Sequence, residues 1–164
     1  MKILIFVHGT IIMHKSGISK SRRERVEQSA RRESEVSDYI SYIPIGDSVK
    51  KLQKWKKQGA EIIYLSSQEN IGDLNKDKFV LKRFKFPKGK IIYRKKGETY
   101  RDIAERIIPD VLIEDDCESI GGAKEMTITY VNPKIKKKIK SIIVKEFSGI
   151  SNLPDKIEDL STFF

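Results

Sequence analysis

The sequence predicts an α/β fold, a three-layer arrangement with a parallel sheet between helices. Three observations carry this. Short apolar runs recur along the chain, each bounded by turn residues, as strands buried on both faces require. Segments of helical pattern separate them, so consecutive strands need crossover connections and lie parallel. Polar residues stand where the apolar runs stop, at the sheet edge where open α/β sheets bind ligands.

Taken in order, Ile3-Leu4-Ile5-Phe6-Val7 is the first strand, ended by His8-Gly9-Thr10. Gly9 lets the backbone leave the sheet steeply. Ile11-Ile12-Met13 continues apolar, and residues 18 to 39 then read as a polar, basic helix. Ser19 or Ser21 can cap it, with Glu24 at capping-box distance from Ser21. Its apolar positions, Val26, Ala30 and Val36, are too sparse for a core helix. Residues 14 to 45 are therefore expected to form a small helical lid inserted after the first strand. Arg22, Arg23, Arg25, Arg31 and Arg32 make it positive, either as a solvated face with pairs such as Glu27–Arg31 or as a cover for an anionic ligand.

Asp47 or Ser48 caps the next helix, which carries Val49, Leu52 and Trp55 and ends at Gly59. Ile62–Leu65 is the second strand, stopped by Ser66-Ser67-Gln68. A helix over 71–86 presents Phe79, Val80, Phe84 and Phe86. Residues 90–93 form the third strand, Glu98–Ile108 a helix, and Val111–Ile113 the fourth strand, ended by Glu114-Asp115-Asp116. The β-branched run Thr127–Val131 is expected as the fifth strand and Lys134–Phe147 as a final basic helix. The tail from Ser148 reads as loosely structured, with Leu153, Ile157, Leu160 and Phe163 available to dock.

With 164 residues the chain is long enough for one domain, expected to span 1–164, with the lid within it. No apolar run approaches membrane-spanning length, and the N-terminus lacks a signal-peptide pattern. The single cysteine, Cys117, fits a small apolar position and a reducing compartment, so a cytoplasmic protein is expected. A formal net charge of +10 would attract phosphorylated ligands or nucleic acid, and equally fits a solvated basic surface. Nothing in the pattern sets an oligomeric state.

Three strand ends can converge: His8-Gly9-Thr10, Ser66-Ser67 and Asp115-Asp116. Lys95 and Lys96 each lie twenty positions before one of the paired acids. Together, in this order, these elements resemble the four motifs of the haloacid dehalogenase (HAD) superfamily over about residues 1 to 131. The resemblance implies a Rossmann-like core of five parallel strands with a lid after the first motif. It implies that Gly9 and Thr10 match the first motif and that Ser66, or Ser67 beside it, matches the phosphate-binding hydroxyl. Lys95 or Lys96 would neutralise phosphate, and Asp115 and Asp116 would hold Mg²⁺. The first motif departs from the family pattern, reading FVHGT where DxDGT is expected. Phe6 stands at the nucleophilic aspartate and His8 at the acid/base aspartate.

A phenyl ring neither attacks phosphorus nor binds a cation, and a covalent nucleophile is what divides so high a barrier. Mg²⁺ can still bind through one or two carboxylates plus water and phosphate. The expected function is thus binding of a phosphorylated small molecule and a divalent metal without the standard aspartyl-phosphate reaction. Two alternatives stand beside it. One is a metal-dependent phosphohydrolase in which His8 and a metal-activated water replace the aspartate. The other is a basic nucleic-acid-binding module using the lid and Lys136-Lys137-Lys138. Further readings remain open: the acidic pair as a helix cap before Ser119, His8 as a structural or ligand-binding histidine at the strand end, and His8 with His14 and an aspartate as a transition-metal set.

Overall fold

The computed structural model describes residues 1–163. Five parallel strands form the central sheet in the order β5-β4-β1-β6-β7. They are β1 (Lys2–Phe6), β4 (Glu61–Leu65), β5 (Lys90–Ile92), β6 (Val111–Asp115) and β7 (Lys140–Val144). β1 lies in the middle, with Ile3 opposite Ile62 of β4 and Val111 of β6. Alternation along β1 sends Ile3 and Ile5 to one apolar layer and Leu4 to the other, as a two-residue period requires. The first layer receives α2 (Ser48–Lys57) and α3 (Ile71–Arg83) through Leu52, Trp55 and Val80. The second receives α4 (Tyr100–Ile107) through Ile103 and Ala104. The expected α/β fold with five parallel strands is the observed one.

The fifth strand, however, is not Thr127–Val131. That run forms a short helix, α5 (Thr127–Tyr130). Its first amides donate to the buried Glu114 carboxylate, Thr127 N at 2.7 Å and Ile128 N at 3.0 Å. The expected helix over 134–147 is also absent. Only α6 (Pro133–Lys136) is helical, and the chain then enters β7, which pairs with β6 from Val111↔Lys140 to Asp115↔Val144. β-Branched residues became helix and a lysine-rich segment became strand because tertiary pairing outweighs local preference.

The lid helix is shorter than 18–39. α1 spans Arg22–Ala30 and starts at Ser21, where Glu24 completes the capping box, and 3₁₀ turns follow at Ser34–Ser37 and Tyr39–Ser41. An unanticipated antiparallel pair, β2 (Ile12–His14) with β3 (Tyr42–Pro44), closes the base of this excursion. The tail is not loose. Ile150, Leu153, Ile157 and Leu160 are buried in the core, and Trp55 Nε1 donates to Pro154 O at 2.9 Å. Phe79, expected as a core contact, is 49% exposed; α3 instead buries Leu74, Asp77, Val80 and Leu81. Among the described residues no helix is long and apolar enough to cross a membrane.

Candidate functional site

The carboxyl ends of β1, β4, β6 and β7 meet over one cavity of about 400 Å³, with the 15–41 excursion forming its other side. At the end of β1 the chain turns sharply at Gly9, whose φ is +75°. A Cβ there would lie 3.1 Å from Asp115 Oδ2 and 3.4 Å from Glu146 Cγ, so glycine also lets the backbone approach the carboxylates. Thr10 is fully buried and its hydroxyl donates to Asp115 Oδ2 at 2.8 Å. The Cys117 amide donates to Asp115 Oδ1 at 3.0 Å.

Asp116 and Glu146 complete an acidic group. Carboxylate oxygens of Asp115, Asp116 and Glu146 lie within 4.8 Å of one another. Glu146 N donates to Asp116 Oδ1 at 3.0 Å, and the Ser119 amide and hydroxyl both donate to the Glu146 carboxylate at 2.7 Å. Burial raises the pKa of both Asp115 and Glu146 above the usual carboxylate range. The charge of Asp116 adds to the shift in each, and that of Asp115 to the shift in Glu146. Burial and the surrounding carboxylates also push the Cys117 thiol upward, holding it in the thiol form. An all-oxygen set of three carboxylates suits a hard cation such as Mg²⁺. Each carboxylate offers about four lone-pair sites, more than the protein hydrogen bonds occupy. The donor set therefore fits the metal that the resemblance implies.

Beside it runs a second polar chain. Asp77, on α3 and fully buried, stands with Oδ1 2.8 Å from His8 Nε2 and accepts the Ser66 hydroxyl on Oδ2 at 2.6 Å. The other His8 nitrogen, Nδ1, is 2.7 Å from Ser67 Oγ. Tyr39 stacks on the imidazole, with centroids 5.4 Å apart and planes 8° from parallel, and Tyr42 lies at 5.1 Å. Phe6 lines the same cavity and meets Tyr100 edge to face at 4.9 Å.

The residues singled out in the sequence separate accordingly. Asp115 and His8 line the cavity, as does Ser67, and Asp116 joins the carboxylate group. Thr10 and Ser66 do not face the cavity; both are fully buried, with their hydroxyls engaged by Asp115 and Asp77. Lys95 and Lys96 are exposed on the turn after β5 and are not cavity residues. The nearby Arg94 packs its guanidinium 4.2 Å from the Tyr100 ring centre and pairs with Glu69. His14 is held by Ser16, and no histidine belongs to the carboxylate group.

The lid arginines also divide. Arg22 donates to Glu146 O at 2.9 Å and pairs with Glu118, while Arg25 donates to Gly17 O and Phe147 O. These two fasten the excursion to the chain beyond β7. Among the described residues, the basic side chains lining the cavity are Arg32 and His8, against Glu33, Glu114, Asp115, Glu125 and Glu146. The cavity is acidic although the molecule is basic. The Lys136–Lys138 run precedes β7 and so lies at the amino edge of the sheet, away from this cavity.

Sequence reasoning missed Glu146 and Asp77. Asp77 stands on the stripe Leu74, Asp77, Leu81, where a buried helix face calls for an apolar residue, and that exception was its signal. Glu146 follows the last strand by two positions, where Asp116 follows β6 by one, and it is visible only once 140–144 is read as a strand.

No family model and no curated protein matches the chain. Solved structures do. A class C acid phosphatase from Bacillus anthracis, crystallised with tungstate bound, aligns with a TM-score of 0.57 at 12% identity, covering 98% of this chain and 76% of that one. A D,D-heptose 1,7-bisphosphate phosphatase from Burkholderia thailandensis aligns with a TM-score of 0.45 at 11% identity, over 90% and 93% of the two chains. At such identity the first likeness is one of fold: the chain shares the α/β architecture of that phosphatase.

Proposed function

We propose that this protein binds a divalent cation, Mg²⁺ or a similar hard ion, at Asp115, Asp116 and Glu146, and with it a phosphorylated small molecule in the adjoining cavity. The observation that carries this reading is the trio of carboxylates, two of them with raised pKa, packed within 4.8 Å of one another at the carboxyl edge of the sheet. Lys145 at 3.2 Å and Arg22 at 3.7 Å pair with Asp116 alone, and burying like charges side by side is unfavourable unless a cation or proton offsets the rest. A phosphate dianion would be repelled by the same walls, so the ligand depends on the metal. Once bound, the cation would supply the positive charge that phosphate oxygens need.

The chain's own residues supply the rest. Thr10 and the Cys117 amide orient Asp115, Ser119 orients Glu146, and Arg22 with Arg25 hold the excursion over the site. Arg32 is the cation of that excursion that lines the cavity. Phe6 fills the place of the aspartyl nucleophile, so the aspartyl-phosphate reaction of the HAD enzymes is not the activity proposed.

Thermal unfolding tests this. With Mg²⁺ at a hundred times Kd the gain is about 2.7 kcal/mol, a Tm rise of about 5–10 °C for a chain of this length. Asp116→Asn and Glu146→Gln should each lose most of that rise. Inorganic phosphate should add a further rise only when Mg²⁺ is present. A Tm indifferent to Mg²⁺ and Mn²⁺, or a phosphate effect that persists in EDTA, would overturn the proposal.

A further inference from the structure

The chain Ser67–His8–Asp77 has the geometry of an activated nucleophile. Three groups stand in order: a hydroxyl lining the cavity, an imidazole in hydrogen-bond contact with it, and a buried carboxylate in contact with the imidazole. Distances of 2.7 and 2.8 Å lie within the reach that proton transfer between nucleophile, base and orienting group demands. The carboxylate of Asp77 accepts, so Nε2 carries the ring proton and Nδ1 presents its lone pair to Ser67 Oγ. Asp77 cannot swing away. It is fully buried on α3, and its second oxygen accepts the Ser66 hydroxyl. The imidazole is likewise held, flat against Tyr39 on one side and beside Tyr42. Ser67 itself is exposed.

A purely structural histidine would not require this. The His8 ring is part-exposed, so Asp77 could hold one nitrogen and water the other, with no need of the Ser67 hydroxyl. The arrangement instead leaves the exposed member of the chain in the cavity and the buried member as its anchor, which is the polarity a nucleophile needs.

We infer that Ser67 is a nucleophile for phosphoryl transfer, with His8 as its general base and Asp77 as the residue that positions His8. The class of substrate, a phosphoester, rests on the cavity reading above. Ser67 Oγ forms a bond to phosphorus as the bond to the leaving alcohol oxygen breaks. His8 Nδ1 takes the hydroxyl proton, while the departing oxygen, in line on the far side of phosphorus, takes its proton from solvent. Water then attacks the phosphoseryl phosphorus from the far side, giving its proton to solvent. The Oγ–P bond breaks, and Ser67 recovers the proton from His8. The sum is hydrolysis of one phosphoester by one water, with no other reactant.

A fluorophosphonate probe tests the nucleophile without a known substrate. Ser67 Oγ would bond to phosphorus as fluoride leaves, and the adduct is located by peptide mass spectrometry. The native protein in EDTA should be modified at Ser67, Ser67→Ala should lose that adduct, and urea-unfolded protein should not form it. His8→Gln, with its fold checked by circular dichroism, should react at least ~100-fold more slowly, the usual lower bound for losing a general base. Native protein left unmodified at Ser67, or modified equally fast in His8→Gln, would overturn the inference. Because the readout needs no metal, labelled Ser67 without any Mg²⁺ response would sink the cation reading alone. A Mg²⁺ response without labelling would sink this one alone.

Discussion

Phe6 shows what a single residue does to this site. It ends β1 beside the carboxylates, lines the cavity and packs edge to face on Tyr100. An aspartate there would add a fourth acid to Asp115, Asp116 and Glu146 and remove the ring contact. Phe6→Asp should therefore lower stability in EDTA by about 3 kcal/mol, the scale of deleting a packed aromatic. Mg²⁺ should restore more stability to this variant than it gives the wild type, because the added carboxylate is a ligand. Urea unfolding with and without Mg²⁺ measures both, and an equal Mg²⁺ effect on the two proteins would refute it. The residue scale also divides what was readable. Asp115 and Asp116 were visible because they interrupt an apolar strand. The partners that give His8 and the acids their chemistry were not, since Asp77 is 69 positions from His8 and Glu146 is 30 from Asp116. Ser66 and Ser67 were legible as a pair but not as individuals, because only the fold shows which hydroxyl turns to Asp77 and which to the cavity.

At the scale of elements, four strands were legible because each is an apolar run bounded by turn residues, three of them central and largely buried and β5 at the sheet edge. The fifth was not. In Lys140–Val144 the apolar run Ile142-Ile143-Val144 follows directly on a lysine-rich stretch with no Gly, Pro, Asn or Asp between to mark a strand start. Ile135 and Ile139, four apart in a lysine-rich stretch, imitated a helix instead. What makes 127–130 helical is remote in sequence: the Glu114 carboxylate, buried at the end of β6, accepts the two amides that begin the turn. Glu114→Ala would leave those amides without their acceptor, and an unsatisfied buried donor costs about 1–3 kcal/mol. Urea titration should show a loss of about 2–6 kcal/mol for the pair. Hydrogen exchange at Thr127 and Ile128 should accelerate relative to β1, and protection unchanged at both positions would contradict the capping role.

Over the whole molecule, the tail binds the first apolar layer from outside. Ile150, Leu153, Ile157 and Leu160 were readable as apolar, but their spacing could not show whether they met a core or solvent. They meet α2, where Lys51, buried on that helix, donates to Leu153 O at 2.6 Å and pairs with Asp155 at 2.5 Å. Lys54 reaches the other Asp155 oxygen at 2.6 Å. These two ammonium groups hold the Asp155 carboxyl down at a pKa of about 2, from an ordinary 3.8. A carboxylate whose pKa is lower in the folded state binds fewer protons there than when unfolded. Its contribution is therefore complete above pH 3.8 and disappears as pH falls through about 2. Asp155→Asn should be less stable than the wild type at pH 6, with the gap narrowing below pH 3.8 and closing near pH 2. Removing Asp155 also leaves the buried Lys51 ammonium with a carbonyl alone, so Lys51→Met in the same background should recover stability lost to that uncompensated charge. Urea midpoints across this pH range would decide it: a gap independent of pH would mean that the tail is held by its apolar residues and that the ion pairs only accompany it.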